Sequence, residues 1–272
     1  MSLKLVLFCF FVASSSAAKR LPRLAGGEDA KPGQYPYQVN LYYKSLLETR
    51  YPIAFGGGAI LNKQWILTAA YNIQNLKNTV VKAGNIYLNK SSKSEQISNV
   101  ANAFVHPKYQ NPTGPYDIAL IKLETPLEFN EFVKPIDLPQ IGSHPQGFGV
   151  LTGLGSLTHM TQLILAKTLQ ALTLPIISND DCQYAIDAAL GAGQFDFFGD
   201  DLAFCTGSTE TNQGYCLHDT GNPLVIEENG KKVVAGVATF GFAADCTTPN
   251  TPSIYTRVSA FNDWIHEIMS EF

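Results

Sequence analysis

Four cysteines in the second half of the chain are the side chains whose chemistry the sequence defines most directly. The 272 residues include five cysteines, and Cys9 lies in an apolar leader that export would remove. In an oxidising compartment an even number predicts two disulfides, and four cysteines allow three pairings. A zinc site is the rival hypothesis, but no Cys-x-x-Cys pair or closely spaced histidine supports it, so we expect no metal and no cofactor. The four cysteines are Cys182, Cys205, Cys216 and Cys246.

The first 18 residues predict export from the cell. Lys4 precedes nine apolar residues, 5–13, and small side chains lead to Ala18, where we expect a signal peptidase to cut. A buried N-terminal helix is the alternative interpretation. Export implies a secreted, extracellular protein, in which Asn89 of Asn89-Lys90-Ser91 is a candidate glycosylation site.

The composition argues against two classes of partner. Hydrophobic residues make up 45% of the chain and charged residues 15%, which suits a globular protein with a sizeable core. The net charge is −4, and no stretch is basic enough for a nucleic-acid surface. No segment supplies the roughly 18–20 consecutive apolar residues of a membrane-spanning helix. We expect a monomer that binds neither nucleic acid nor a membrane.

Short strand-like runs broken by Gly, Pro and Asn must position any site in this chain. Examples are residues 37–42, 80–83, 118–121 and 232–237, and their close spacing is typical of an all-β sandwich or barrel. Two helices are predicted. One is capped by Ser178 and runs through Leu190, and the other forms the last dozen residues.

Five segments, in the same order, resemble the trypsin/chymotrypsin family of serine proteases over residues 24–272. They are Arg23 with residues 24–27, and residues 65–70, 116–120, 216–224 and 252–258. The resemblance implies two six-stranded antiparallel β-barrels and a C-terminal helix, with a cleft between the barrels. It implies a propeptide at 19–23, a first barrel at about 24–137, a second at about 138–260 and a helix at about 260–270. The chain also resembles mite trypsin-like allergens and the inactivated protease paralogues of parasitic mites.

The resemblance also assigns the disulfides. It joins Cys182 to Cys205 and Cys216 to Cys246, and it places a third family bridge at positions that are Gly56 and Asn72 here. Since neither is cysteine, the first barrel lacks this disulfide, and a disulfide typically stabilises a protein by ~2–4 kcal/mol.

The catalytic positions implied by the resemblance carry altered chemistry. Acyl transfer in the family needs a histidine base, an aspartate that orients it and a serine nucleophile. The matching residues are Tyr71, Asp117 and Thr220. A phenol with a pKa of about 10 stays protonated at pH 7 and cannot accept the nucleophile's proton. We expect Asp117 to serve as a buried hydrogen-bond acceptor, with the Tyr71 hydroxyl as a candidate donor.

The loop around the nucleophile position departs from the family as well. The family has Gly-Asp-Ser-Gly-Gly, whereas residues 218–222 read His-Asp-Thr-Gly-Asn. His218 replaces the glycine that donates its amide to the oxyanion, and losing one such donor costs roughly 10²–10³ in rate. A substitute base is the less favoured role for His218. Asp219 matches the aspartate that pairs with a freed amino terminus, so cleavage after Arg23 could insert the amine of Leu24; an ordinary buried carboxylate is the alternative.

The specificity pocket is altered too. Gly214 stands where trypsin-like members carry an aspartate for Lys or Arg, and Tyr215 stands at a usually small wall position. Two orientations of the Tyr215 ring are compatible with the sequence: the ring fills the pocket, or it points outward. Thr239-Phe240-Gly241 resembles the family's Ser-Trp-Gly substrate-binding strand.

Together these changes predict a secreted, catalytically inactive protease homologue that acts by binding proteins. The expected partner is a protease, an inhibitor or a host-defence protein such as a complement component. The alternative is a weakly active serine-type hydrolase that uses Thr220.

Overall fold

The computed structural model describes most of the chain from residue 27 onward. The described residues are 27–44, 53–73, 78–110, 114–156, 165–191, 201–207, 214, 216, 218–241 and 252–272. The predicted signal peptide, propeptide and cleavage site at Arg23 and Leu24 lie outside them, as do Tyr215 and Cys246.

The secondary structure is mostly strand. The strands are Glu28–Asp29 (β1), Gln38–Tyr43 (β2), Ala54–Ile60 (β3), Trp65–Thr68 (β4), Thr79–Ala83 (β5), Gln96–Val105 (β6), Ala119–Leu123 (β7), Phe148–Gly153 (β8), Gln170–Ile177 (β9), Ala203–Thr206 (β10), Pro223–Glu228 (β11), Lys231–Gly241 (β12) and Ser253–Arg257 (β13). The helices are Asn179–Leu190 (α1) and Asn262–Glu271 (α2).

The first barrel closes in the order β2-β3-β4-β7-β6-β5, with antiparallel neighbours. All four residues of β4 are buried, and Leu67 pairs with Leu120 of β7. Such an apolar run is buried on both faces because one face fills the barrel and the other meets the second barrel.

The second barrel closes in the order β8-β9-β10-β13-β12-β11, since β11 pairs back to β8, and β1 pairs with the edge of β9. The expectation of two six-stranded antiparallel barrels is confirmed. The Ser178 side chain accepts the N–H of Asp181 at 3.1 Å, which caps α1 as predicted.

One apolar cluster joins both barrels to α2, the C-terminal helix that the resemblance implies. Trp65 and Leu120 come from the first barrel, Val234 and Val237 from the second, and Ile265 from α2. This shared core fixes the barrels against each other, so residues on facing strands meet at their junction.

A disulfide joins Cys182 to Cys205, with their Cα atoms 6.2 Å apart, as the resemblance implies. Cys216 is also disulfide-bonded, and its expected partner, Cys246, lies outside the described residues. Asn89 is exposed, as a glycan acceptor must be. Among the described residues, no helix has both the length and the apolar character needed to cross a membrane.

Candidate functional site

Tyr71 lies in a single 3₁₀ turn, Ala70–Asn72, directly after β4. Its side chain is 42% exposed although both neighbours in the turn are buried. Its main-chain N–H donates to Asp117 Oδ1 at 2.8 Å. The donor that residue 71 presents to Asp117 is therefore the main-chain amide rather than the phenol hydroxyl proposed above.

Asp117 is fully buried just before β7. Its Oδ2 accepts the Thr239 hydroxyl, and the main-chain N–H of Ala70 also donates to the carboxylate. Burial raises the pKa of the Asp117 carboxyl to about 6, against the lowering effect of these hydrogen bonds and of the Tyr71 amide. Asp117 is thus a buried acceptor that links the first barrel to β12 of the second.

Thr220 lies at the junction of the barrels, where its main chain is held from the first barrel. The Thr220 carbonyl accepts the Gly57 N–H at 3.0 Å and Asn72 Nδ2 at 2.9 Å. The following residue, Gly221, has a φ of +83°, and a Cβ there would overlap the Asn72 amide and the Thr68 hydroxyl. The turn therefore requires glycine at 221, as the family pattern has it.

His218 has a φ of +70°, in the left-handed region that favours glycine. The side chain is half-buried and hydrogen-bonds to the main chain of Phe55 on β3. Burial lowers the pKa of the His218 imidazole below its ordinary value, and the Phe55 bond acts in the opposite direction. The imidazole therefore bridges the nucleophile loop to the first barrel.

Asp219 is fully buried and accepts hydrogen bonds from three donors in the described part of the chain. The donors are Cys216 N at 3.1 Å, Gly155 N at 3.2 Å and Asn222 Nδ2 at 3.0 Å. Burial nevertheless raises the pKa of the Asp219 carboxyl to about 7. The candidate partner amine of Leu24 lies outside the described residues.

The remaining predicted site residues divide between the described and undescribed parts of the chain. Thr239 is buried on β12, and its hydroxyl donates to Asp117. Gly214 is also buried, whereas Phe240 and Gly241 are half-buried. The orientation of the Tyr215 ring lies outside the described residues.

Sequence reasoning missed two asparagines at the centre of the site. Asn72 stands at one of the two positions of the missing bridge, and an ideal Cβ on Gly56 would lie 2.6 Å from its Nδ2. The two positions thus face each other, and the Asn72 amide fills the space and bonds to Thr220. Asn222 was visible only as a departure from the family's final glycine, with no signal that its side chain would be buried.

The comparisons with known proteins agree with this geometry. The Trypsin family model matches residues 24–265. Serine proteinase stubble of Drosophila melanogaster is 34% identical over 258 residues, which cover 90% of this chain and 31% of that protein. The chain therefore spans about a third of the length of this curated relative. With two barrels, a C-terminal helix and a family model that matches residues 24–265, the chain belongs to the trypsin family.

Proposed function

We propose that this chain is a secreted, non-catalytic member of the trypsin family that acts by binding proteins. The observation that carries the proposal is at residue 71, where a phenol replaces the imidazole base. Asp117, which would orient that base, accepts the main-chain amides of residues 70 and 71 and the hydroxyl of Thr239, and residue 71 carries no imidazole for it to orient.

The size of the expected rate loss and two further substitutions, at residues 218 and 220, support the loss of turnover. Removing the base of such a triad costs up to about 10⁶ in rate, although losses within one triad are not additive. At the predicted oxyanion position, His218 adds a bulky side chain to a left-handed backbone and points it at the Phe55 main chain. An imidazole engaged in that bond is poorly placed to replace the missing base, and Thr220 also carries an extra methyl group.

The retained scaffold supports binding as the activity. The two barrels, their shared core and the hydrogen bonds that hold the Thr220 loop are all intact. Tyr71 presents a partly exposed aromatic ring at the junction, and aromatic side chains are enriched among residues that dominate protein interfaces. The resemblance to inactivated mite paralogues favours a host-defence protein, such as a complement component, over a protease or an inhibitor.

Turnover and covalent labelling test the loss of catalysis. The protein, before and after cleavage at Arg23, is assayed on a fluorogenic peptide library with active trypsin as the positive control. A fluorophosphonate label is then located by mass spectrometry, with Thr220→Ala as the matched control. We expect no turnover and no label on Thr220. Inhibitor-sensitive turnover with a label on Thr220 would instead support the weak serine-type hydrolase.

Binding is tested separately with purified complement components immobilised on a sensor. Catalytically blocked trypsin, which shares the fold, is the control for non-specific association. We expect binding by this chain that trypsin does not show and that Tyr71→Ala weakens. No binding above the trypsin control would refute the complement proposal while leaving the catalytic result untouched.

A further inference from the structure

A buried line of side-chain hydrogen bonds crosses the junction of the barrels at Asn222. Thr152 Oγ1 donates to Gln38 Oε1 at 2.6 Å, and Gln38 Nε2 donates to Asn222 Oδ1 at 2.8 Å. Asn222 Nδ2 then donates to Asp219 Oδ1 at 3.0 Å. All four residues are at most 5% exposed, so each bond is sheltered from water.

The described donors to the Asp219 carboxyl are all neutral amides. Its oxygens accept two main-chain amides and the Asn222 amide, and within the described part of the chain no Lys, Arg or His forms an ion pair with it. Burial raises the pKa of this carboxyl, which is consistent with neutral donors alone. In the family as described above, an amino group released by cleavage partners this aspartate.

The Asn222 side chain packs closely against two glycines, Gly57 and Gly153. A Cβ on Gly57 would overlap Asn222 Oδ1, and a Cβ on Gly153 would overlap Asn222 Nδ2. Two glycines, one from each barrel, therefore make room for a side chain at a position where the family motif has glycine.

We propose that Asn222 is a positioning residue that holds Asp219 and the loop of residues 218–222 in place in the uncleaved chain. Assembly of this loop then does not depend on the amino group that cleavage after Arg23 would release. This inference concerns the response to processing and holds whether or not the protein binds the partner proposed above.

The test compares the protein before and after cleavage at Arg23, with the cut verified by mass. Arg23→Gln treated with the same protease is the matched control for cutting elsewhere. For the wild type we expect the thermal midpoint to change by less than about 2 °C and hydrogen exchange over residues 218–222 to stay the same. For Asn222→Gly, which restores the family's glycine, we expect the uncleaved midpoint to fall by about 4–8 °C and cleavage to recover part of that loss.

The result that overturns the proposal is a wild-type response to cleavage. If cutting raises the wild-type midpoint by more than about 2 °C, or slows exchange of residues 218–222 about tenfold, the amino terminus rather than Asn222 holds the loop. If Asn222→Gly fails to fold before cleavage, Asn222→Ala takes its place, and an uncleaved midpoint within about 2 °C of the wild type would also overturn the proposal.

Discussion

The two buried carboxyls at the barrel junction should make the protein lose stability as the pH rises. Burial raises the pKa of Asp219 to about 7 and that of Asp117 to about 6, whereas an unfolded aspartate titrates near 3.9. Between these values the native state binds more protons than the unfolded state, so the free energy of unfolding falls with increasing pH. The stabilisation is complete below the unfolded pKa and is lost as the pH passes 6 and 7.

The magnitude follows from the size of the shifts. One pKa unit corresponds to about 1.4 kcal/mol, so moving from pH 5 to pH 8 removes about 3 kcal/mol through Asp219 and about 1 kcal/mol through Asp117. His106 and His218 act in the opposite direction, because burial lowers both of their pKa values and protonation at pH 5 then favours the unfolded state. A variant that removes a single carboxyl separates these contributions.

Urea unfolding of the uncleaved protein and of Asp219→Asn, at pH 5 and pH 8, provides the assay. Tryptophan fluorescence can report unfolding, since Trp65 and Trp264 both pack in or against the core that joins the barrels. The histidines are common to both proteins, so their effect cancels in the comparison. Between pH 5 and pH 8, we expect the wild type to lose about 3 kcal/mol more unfolding free energy than Asp219→Asn does. Equal pH dependence, within about 1 kcal/mol, would refute the assignment to Asp219.

Three smaller changes test two other contacts of the site and the predicted glycosylation site. With Gly56→Cys and Asn72→Cys combined, oxidation should join the facing positions and raise the free energy of unfolding by about 3 kcal/mol over the reduced form; thiols that stay free in oxidant would show that the positions do not face each other. Tyr71→Phe should change stability by less than about 0.5 kcal/mol in urea unfolding, because the Asp117 bond comes from the main chain, and a loss above about 1 kcal/mol would implicate the hydroxyl. Asn89→Gln should reduce the mass of protein secreted from eukaryotic cells by one N-glycan, and an unchanged mass would mean that Asn89 is not modified.

The fold was predictable from the sequence because its signals are local and ordered. Short buried runs such as Ala119–Leu123 indicate strands by composition, and Ser178 marks a helix start through a bond to a residue three positions away. The order of five motifs then selected one arrangement of those strands. None of these steps needs knowledge of which side chains meet across the two barrels.

The contacts that define the site join residues far apart in the sequence, so local sequence signals could not predict them. Asn72 and Thr220 are 148 positions apart, and Gln38 and Asn222 are 184 apart. The sequence showed that a bridge and a glycine were missing, but asparagine is mostly an exposed residue, so neither Asn72 nor Asn222 gave any sign of a buried network. Only the packing of the barrels shows what these two asparagines do. The Asn72 amide faces Gly56 and bonds to the Thr220 carbonyl, and the Asn222 amide bonds to Gln38 and Asp219.

The central claim, that catalysis is lost through the residues at the base, nucleophile and oxyanion positions, is tested most directly by restoring them. The variant combines Tyr71→His, Thr220→Ser and His218→Gly. Asp117 already lies within hydrogen-bond distance of the main chain of residue 71, so an imidazole at that position has an acceptor at hand. Turnover on a mixed fluorogenic peptide library is measured for both proteins after cleavage at Arg23, beside active trypsin. We predict a silent native protein and a restored variant that gains activity; inhibitor-sensitive turnover by the native protein would contradict the account.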